Sequence, residues 1–329
     1  MDFIKKIKTG LDVLECKFLG KRKPIVVSFE VTSDCLRDCD YCSYEGDKED
    51  FSTDEILSMI SEVSEMGTKK VLFTGGEPLL RDDIGKFVRK AKEEGLSVNI
   101  NTNGDLFSQK IDEIKDADYV VFSLDGPKHI HDELRGHGSF KNVMESIELA
   151  KEKGINIGLT TTITRKNYHS IPELLDIVKD IQVPLKIQNV ACNDETFGLD
   201  ENKDIKLSKK EMEGVVSKVI EFKEKNDELI NFSYKTLKDI VNLYNESGFD
   251  CVAGILACRI EDGKLLPCGR NLSEKSGVEI ENGFREAWEK LDNSEKYCNY
   301  NCCTGALEEI NVWNLDPSTL KDNIFNTPF

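Results

Sequence analysis

Three cysteines lie close together near the start of the chain, in the order Cys35, Cys39 and Cys42. Thiolates at this Cx3Cx2C spacing can hold a metal ion or an iron–sulfur cluster, and clusters that only carry electrons normally have a fourth cysteine. Three thiolates on a cubane [4Fe-4S] cluster leave one iron without a protein ligand. An open coordination position of that kind can bind a substrate or cofactor directly. On these three residues alone, a zinc site and an ordinary ferredoxin site are open alternatives.

A second group of cysteines follows residue 250, and the whole chain holds eleven. The first residues lack the apolar stretch and cleavage site of a signal peptide. We therefore expect a cytoplasmic protein whose thiols stay reduced and serve as ligands rather than as disulfides. Cys16 and Cys192 stand outside both groups and are expected to be ordinary buried thiols. The later group consists of Cys251, Cys258, Cys268, Cys298, Cys302 and Cys303.

Hydrophobic periodicity and turn residues predict the elements that position the first group. Strand-like runs alternate with helical segments, as in successive βα units of a parallel sheet. Helices are predicted over 52–66, with Thr53 as N-cap, over 82–94 and over 139–153, each ending at a glycine. The first cysteines follow the first strand, at the edge where α/β barrels carry active-site loops. The predicted strands are 25–32, 70–74, 97–102, 119–124, 156–162 and 185–189.

Further polar residues and glycines stand at the ends of the later strands. Gly75-Gly76-Glu77-Pro78 follows the second strand, Asn103 the third, and Ser123 and Asp125 the fourth, with Arg135 in the next segment. Tyr41 directly precedes the last cysteine of the first group. This combination resembles the radical S-adenosylmethionine (SAM) superfamily, which commonly has an aromatic residue before that cysteine and a GGEP motif. Residues 25–190 look like its core, a partial (β/α)6 barrel.

The resemblance implies a cofactor and a reaction. It implies that a [4Fe-4S] cluster on Cys35, Cys39 and Cys42 binds SAM through its free iron, and that reduced ferredoxin or flavodoxin supplies the electron. Reductive cleavage of SAM would give methionine and a 5'-deoxyadenosyl radical that abstracts hydrogen from an unactivated carbon. Glu77 would accept a hydrogen bond from the SAM ammonium, and the glycines would let the backbone approach the cofactor. The implied cofactor-binding residues are Tyr41, Gly75, Gly76, Glu77, Pro78, Asn103, Ser123, Asp125 and Arg135.

The cysteine-rich end of the chain resembles the SPASM or shorter twitch extension that follows some radical SAM barrels. The turn pair Asp262-Gly263 predicts a β-hairpin between Cys251 and Cys268. Because a full SPASM extension has more cysteines than the six found here, we expect one auxiliary [4Fe-4S] cluster, with a structural zinc site as the alternative. The predicted ligands are Cys251, Cys268, Cys298 and Cys302, and either Cys303 or Cys258 is the alternative last ligand.

These patterns divide the chain into four parts and leave the substrate open. We expect an N-terminal amphipathic helix over 1–24, the barrel over 25–190, a helical connection over 191–250 and the twitch-like part over 251–329. The predicted oxidoreductase oxidises or couples a peptide, a small metabolite or a lipid. A non-catalytic electron-transfer or metal-sensing protein is the alternative. Gly269 stands where sulfatase-maturating members of that superfamily have an acidic base, so no catalytic acid or base is assigned. Three of the four histidines follow the fourth strand in a predicted loop, where a lone histidine is usually solvated, so none of them is given a role.

Charge narrows the range of partners. The net charge of −17 argues against a nucleic-acid partner, since such binding depends on basic patches. Residues 1–24 differ, with seven Lys or Arg against three Asp or Glu, a net charge of +4. We expect the apolar stripe of this helix to pack under the strand that starts at Ile25. The alternative is peripheral membrane contact through residues 1–20. The stripe consists of Phe3, Ile4, Ile7, Leu11, Leu14 and Phe18.

Overall fold

The computed structural model describes residues 3–42, 50–190, 205–242, 253–267 and 277–291, in ten α-helices and nine β-strands. The predictions on Cys192, Cys251, Cys268, Gly269, Cys298, Cys302 and Cys303 lie outside these residues. The strands are β1 Val26–Glu30, β2 Lys70–Thr74, β3 Ser97–Thr102, β4 Tyr119–Ser123, β5 Ile157–Ile163, β6 Leu185–Asn189, β7 Ala257–Glu261, β8 Lys264–Leu266 and β9 Val278–Glu279. The helices are α1 Phe3–Leu19, α2 Thr53–Glu65, α3 Ile84–Glu93, α4 Phe107–Ile114, α5 Lys128–Arg135, α6 Ser139–Glu152, α7 Ile171–Ile181, α8 Lys209–Lys223, α9 Tyr234–Asn242 and α10 Phe284–Lys290.

All nine strands form one sheet in the order β6-β5-β4-β3-β2-β1-β7-β8-β9. Strands β1 to β6 are parallel and lie in chain order, with a helix between each strand and the next. The predicted parallel α/β arrangement is therefore confirmed. Because these six strands are parallel, their carboxyl ends all lie at one edge of the sheet.

One face of this sheet packs against the helices. Phe29 of β1 contacts Phe73 of β2, and Phe73 contacts Phe87 of α3, with ring centroids 5.9 and 6.1 Å apart. Phe122 of β4 meets Phe107 of α4 edge to face at 5.0 Å. All five rings are buried, so they join strands and helices in one apolar core. Side chains alternate along a strand, so the residues between these rings point to the opposite face.

A local sequence signal explains where helix α2 begins, but the predicted N-cap residue is wrong. Helix α2 is capped by Ser52 rather than by Thr53. Ser52 accepts a hydrogen bond from the Glu55 amide, and the Glu55 carboxylate accepts one from the Ser52 amide, which is a capping box. Thr53 instead donates to Asp83 at the start of the next helix. The side chain of Thr53 therefore joins two helices rather than ending one.

The predicted hairpin near the chain end is confirmed, and it has a partner that the sequence pattern did not indicate. Asp262 and Gly263 both have positive φ, 52° and 75°, as a two-residue type I′ turn between β7 and β8 requires. Strand β7 also pairs in parallel with β1, placing Cys258 beside Val27. Cys258 is 5 % exposed and packs in the core, like the buried thiol Cys16 at 1 %. Both behave as small apolar residues.

The N-terminal helix α1 is confirmed, but the prediction for its buried stripe is wrong at two positions. Leu11 and Phe18 are 59 % and 68 % exposed, whereas Val13 and Cys16 are buried. Val13 and Cys16 pack in the core, and next to them Asp12 forms ion pairs with Lys23 at 2.5 Å and with Lys69 at 3.2 Å. No helix in the described part of the chain is long and apolar enough to cross a membrane.

Candidate active site

The loop that carries the first three cysteines begins directly after β1, at the edge where the parallel strands end. Cys39 is 8 % exposed, whereas Cys35 and Cys42 are open to solvent, and all three are free thiols. A backbone hydrogen bond from the Cys42 amide to the Cys39 carbonyl, at 2.9 Å, closes the last turn of the motif. Among the described residues, no group of three or more His, Cys, Asp or Glu side chains converges on one metal ion. A cubane cluster does not require such convergence, since each thiolate binds a different iron.

The two glycines after β2 allow this loop to lie directly against them. A Cβ atom on Gly76 would lie 2.2 Å from the Asp34 carbonyl oxygen, and one on Gly75 would lie 2.2 Å from that of Thr32. Gly75 also has a φ of 144°, which favours glycine. The Gly76 amide donates to Thr32 at 2.9 Å, and the Glu77 amide donates to Asp34 at 2.7 Å. The glycines therefore fix the start of the cysteine loop.

Two amide groups point at the first thiol. The Arg37 backbone amide donates to Cys35 Sγ at 3.4 Å, and Asn103 Nδ2 donates at 3.8 Å. Asn103 is one of the predicted site residues, and it follows β3 at the same edge of the sheet. Burial raises the pKa of Cys35, and these two hydrogen bonds oppose that shift because they stabilise the thiolate. A thiolate is the form that binds iron.

Glu77 is placed beneath the loop and joins the ends of two strands. Its carboxylate accepts hydrogen bonds from the Asn103 amide at 2.8 Å, from Thr102 Oγ1 at 2.8 Å and from the Leu79 amide at 3.1 Å. The side chain is 1 % exposed, and burial raises its pKa to about 7 against the effect of these bonds. Pro78 next to it is buried at the start of a single 3-10 turn. Contact of Glu77 with a SAM ammonium stays a prediction.

Three other predicted residues form one hydrogen-bonded unit. Tyr41 of the cysteine loop donates to Asp125 after β4, and Arg135 at the end of α5 donates to the same carboxylate at 2.5 Å. Asp125 also accepts from the Thr162 amide at 2.9 Å and is fully buried. Burial would raise the pKa of Asp125, but Arg135 and the other partners hold it below its usual value. Asp125 therefore fixes Tyr41 and Arg135, while Ser123 stands half-buried at the end of β4.

Two buried residues that were not among the predicted site residues support this hydrogen-bonded unit. His131 is completely buried, and its Nδ1 accepts a hydrogen bond from the Asp125 amide at 3.1 Å. Burial lowers the pKa of His131 to about 4, so the ring is neutral near pH 7. Asn167, also fully buried, donates to the carbonyl oxygens of Asp125 and Thr162 at 2.9 Å each. The other three histidines, His129, His137 and His169, are exposed.

An arginine within the cysteine motif was also missed. Arg37 donates through Nε and Nη2 to the two oxygens of Asp105, at 2.5 and 2.6 Å. Asn142 of α6 donates to the same carboxylate at 2.8 Å. This bidentate pair joins the cysteine loop to the loop after β3. An arginine between ligand cysteines, with an aspartate two residues after Asn103, is the sequence signal that could have indicated it.

The residues at this edge fit a [4Fe-4S] cluster with SAM beside it. The three thiols stand on a loop that is held in place by contacts with the ends of three other strands. Amide donors face Cys35. Arg135 supplies a buried positive charge 5.6 Å from the centre of the Tyr41 ring. Burial raises the pKa of Cys39 to about 12, against the opposing effect of Arg135, so binding of a metal there displaces a proton.

Comparisons with known proteins match the part of the chain that contains these residues. The family model described as "Radical SAM superfamily" matches residues 29–178, which include the cysteine loop, the glycines and the Asp125 unit. Fe-coproporphyrin III synthase of Methanosarcina barkeri is 31% identical over 176 residues, covering 51% of this chain and 44% of that protein. PqqA peptide cyclase of Bradyrhizobium diazoefficiens is 29% identical over 177 residues, covering 51% and 47%. The chain spans less than half the length of these two relatives.

A solved structure extends the likeness in fold to most of the chain. Streptococcus suis SuiB, bound to its precursor peptide SuiA, matches with a TM-score of 0.68 and 18% identity, covering 87% of this chain and 69% of that one. At this identity the match shows the fold alone. The likeness to the radical SAM superfamily therefore lies in residues 29–178, and the likeness in fold extends beyond them.

Proposed function

We propose that this protein is a radical SAM enzyme that reductively cleaves SAM and abstracts hydrogen from an unactivated C–H bond of its substrate. The observation that carries the proposal is the cysteine loop, which packs onto Gly75 and Gly76 and joins Asp125 through Tyr41. With cluster and SAM bound, the site supplies a 5'-deoxyadenosyl radical. The domain match favours this enzyme over the electron-transfer or metal-sensing alternative.

In this proposal the chain's own residues bind, orient and shield the cofactor. The thiolates of Cys35, Cys39 and Cys42 would each bind one iron of the cluster, and the backbone beside Gly76 would help to bind the SAM amino group. Arg135 provides a fixed cation for the SAM carboxylate, because Asp125 keeps its guanidinium charged and orients it. Because Gly75 and Gly76 have no Cβ atoms, the backbone of the cysteine loop lies directly against them, and this contact would hold the three thiolates at the strand ends.

We further propose an auxiliary [4Fe-4S] cluster in the cysteine-rich end of the chain and a peptide or small polar molecule as substrate. The cluster proposal rests on the resemblance of the run from Cys251 to Cys268 to a twitch extension. The hairpin of β7 and β8 supports it, because Cys268 follows directly after the described end of that hairpin. The peptide proposal draws support from the names of PqqA peptide cyclase and of SuiB with its precursor peptide.

Anaerobic reconstitution with iron and sulfide, followed by reaction with SAM and a strong reductant, tests the proposed chemistry. We expect methionine and 5'-deoxyadenosine in equal amounts, measured by mass spectrometry. Cys39→Ala should abolish both products, whereas the control Cys16→Ala, in a buried thiol of α1 outside the site, should keep them. Absence of 5'-deoxyadenosine from wild-type protein with a full cluster, across candidate peptides and metabolites, would overturn the proposal.

Iron and sulfide analysis of the same protein tests the auxiliary cluster. About eight of each per chain support two [4Fe-4S] clusters, and about four restrict the protein to the SAM cluster. Cys298→Ala should lower the count by about four iron if the predicted ligands are right. It should leave the count unchanged if Cys298 is not a ligand.

A further inference from the structure

Large apolar side chains on the surface are concentrated on helix α1. Leu11 is 59 % exposed, Phe18 68 % and Leu19 67 %. In the described part of the chain only two others are exposed, Leu36 at 57 % and Tyr234 at 36 %. Single exposed apolar residues are ordinary on a protein surface, whereas several on one element indicate a surface that contacts a partner.

The three side chains on α1 lie on one side of the helix and are called the apolar patch below. Leu11 and Phe18 are seven residues apart, which is close to two full turns, and Leu19 follows Phe18. Val13 and Cys16, which pack in the core, lie on the other side. Helix α1 therefore has two apolar sides, and only one of them is buried against the sheet and its helices.

The surroundings of the apolar patch are open. Gly10 and Gly20 flank the patch along the chain. A Cβ atom added to either glycine would meet no atom within 4 Å beyond its own helix and its chain neighbours. No described residue therefore crowds either end of the patch, and a flat partner can reach all three side chains together.

Helix α1 lies at the edge of the sheet where the strands begin. Asp12 of this helix forms ion pairs with Lys23 and Lys69, which directly precede the first residues of β1 and β2. The cysteine loop follows the other end of β1. A partner bound to the apolar patch would therefore leave the edge with the cysteine loop open.

The charge next to the patch has the opposite sign to that of the whole chain. Residues 1–24 have a net charge of +4, whereas the chain has −17. The two acidic residues of α1, Asp12 and Glu15, are both held in ion pairs with Lys21 or Lys23. Charges more than about 8–10 Å apart are largely screened at physiological ionic strength. The local positive charge therefore decides which partners the patch attracts.

Apolar side chains beside positive charge on one helix fit an anionic lipid surface. Such a helix lies in the plane of the membrane, with its apolar side chains among the lipid headgroups and acyl chains and its lysines near the phosphates. A second copy of the chain fits less well, because a symmetric contact would bring the same positive charge from both copies together.

We propose that helix α1 binds the protein to anionic membrane surfaces through Leu11, Phe18 and Leu19. The helix lies on the membrane and does not cross it. In this orientation the cysteine loop faces away from the lipid. The assignment is independent of the proposed radical chemistry, because it rests on the exposure and charge of a helix at the opposite edge of the sheet.

Flotation of the full chain with lipid vesicles in a density gradient tests the proposal. One set of vesicles is phosphatidylcholine alone, and the other contains about one third phosphatidylglycerol, which is anionic. We expect roughly tenfold tighter binding to the anionic vesicles, and this binding should weaken as the salt concentration rises. Equal binding to the two sets of vesicles, or no binding to either, refutes the proposal.

Two variants and a matched control locate the contact. Leu11→Ser and Phe18→Ser should each weaken binding to the anionic vesicles roughly tenfold, with circular dichroism showing that both are folded. Leu36→Ser removes an equally exposed leucine at the opposite edge and should leave vesicle binding unchanged. Equal flotation of wild type and Phe18→Ser, or equal loss in Leu36→Ser, contradicts docking through α1.

Light scattering without vesicles tests the other occupant of the patch. We expect the wild-type chain and Phe18→Ser to have the same mass. A wild-type dimer that Phe18→Ser dissociates would assign the apolar patch to a second copy of the chain and overturn the membrane proposal. None of these measurements involves cleavage of SAM, so their failure is distinct from a failure to form 5'-deoxyadenosine.

Discussion

The packing of the cysteine loop onto Gly76 gives a sharp quantitative prediction. In Gly76→Ala the added methyl carbon would start 2.2 Å from the Asp34 carbonyl oxygen and 2.5 Å from that of Ser33. Real Cβ atoms do not approach backbone atoms closer than 3.0 Å, so the loop must move away. The nearest atoms belong to backbone rather than to a flexible side chain, so no rotamer change relieves the contact.

The cost follows from the hydrogen bonds that this movement breaks. The Gly76 amide donates to the Thr32 carbonyl oxygen at 2.9 Å, and the Glu77 amide donates to that of Asp34 at 2.7 Å. Both hydrogen bonds hold the loop in the position from which the alanine would displace it. At ~0.5–1.5 kcal/mol for each bond, Gly76→Ala should lower the free energy of unfolding by ~1–3 kcal/mol. The same movement carries Cys35 away from Asn103, its hydrogen-bond donor outside the loop, so the iron content after reconstitution should fall as well.

Urea denaturation of the cluster-free protein, followed by circular dichroism, measures the first effect, and iron analysis measures the second. Gly214→Ala is the matched control, because Gly214 lies on the exposed side of α8 with no atom within 4 Å of its added Cβ. Alanine there should raise stability by ~0.5–1 kcal/mol and leave iron content unchanged. The reasoning is refuted if Gly76→Ala is as stable as wild type and binds the same amount of iron.

Three further predictions follow from buried charges and packing. Asp125→Asn leaves the buried Arg135 without its carboxylate and should cost ~3–5 kcal/mol in urea denaturation, with a drop in iron content; unchanged stability would show that the pair is not coupled. Between about pH 4.5 and 7, folded Glu30 holds a proton that the unfolded chain has lost, so wild-type stability should fall with rising pH relative to Glu30→Gln; a constant difference between the two proteins across this range contradicts the raised pKa. Val13→Ala should lower the free energy of unfolding by ~1–2 kcal/mol in urea denaturation, and Phe18→Ser by less than ~0.5 kcal/mol, because only Val13 is buried. The opposite order would mean that α1 packs through its other face.

The parts of the fold that the sequence predicted are those encoded in short segments. Strand boundaries such as 70–74 follow from local alternation, and the turn at Asp262-Gly263 from residues that accept positive φ. The spacing of Cys35, Cys39 and Cys42 is itself a local signal, as is the pair Gly75-Gly76. Such features depend on a few neighbouring residues and can be read without knowing the rest of the chain.

The features that the sequence did not indicate depend on distant residues meeting in the fold. Nothing in the segment around Cys258 shows that β7 will pair with β1, since the two are more than 200 residues apart. Helix α1 makes contacts with residues far outside it, such as the ion pair between Asp12 and Lys69, and periodicity alone predicted a buried position for the exposed Leu11 and Phe18. His131 was read as a solvent-exposed loop histidine, but Asp125 and the helix around it bury the ring.

Electron paramagnetic resonance of the reduced protein, with and without SAM, is the most direct test of the central claim. If the cluster on Cys35, Cys39 and Cys42 has an iron open to SAM, the signal of that cluster should change shape when SAM is added. The change should persist in Cys298→Ala and be absent in Cys39→Ala. A reduced cluster whose spectrum is the same with and without SAM would contradict a radical SAM active site in this protein.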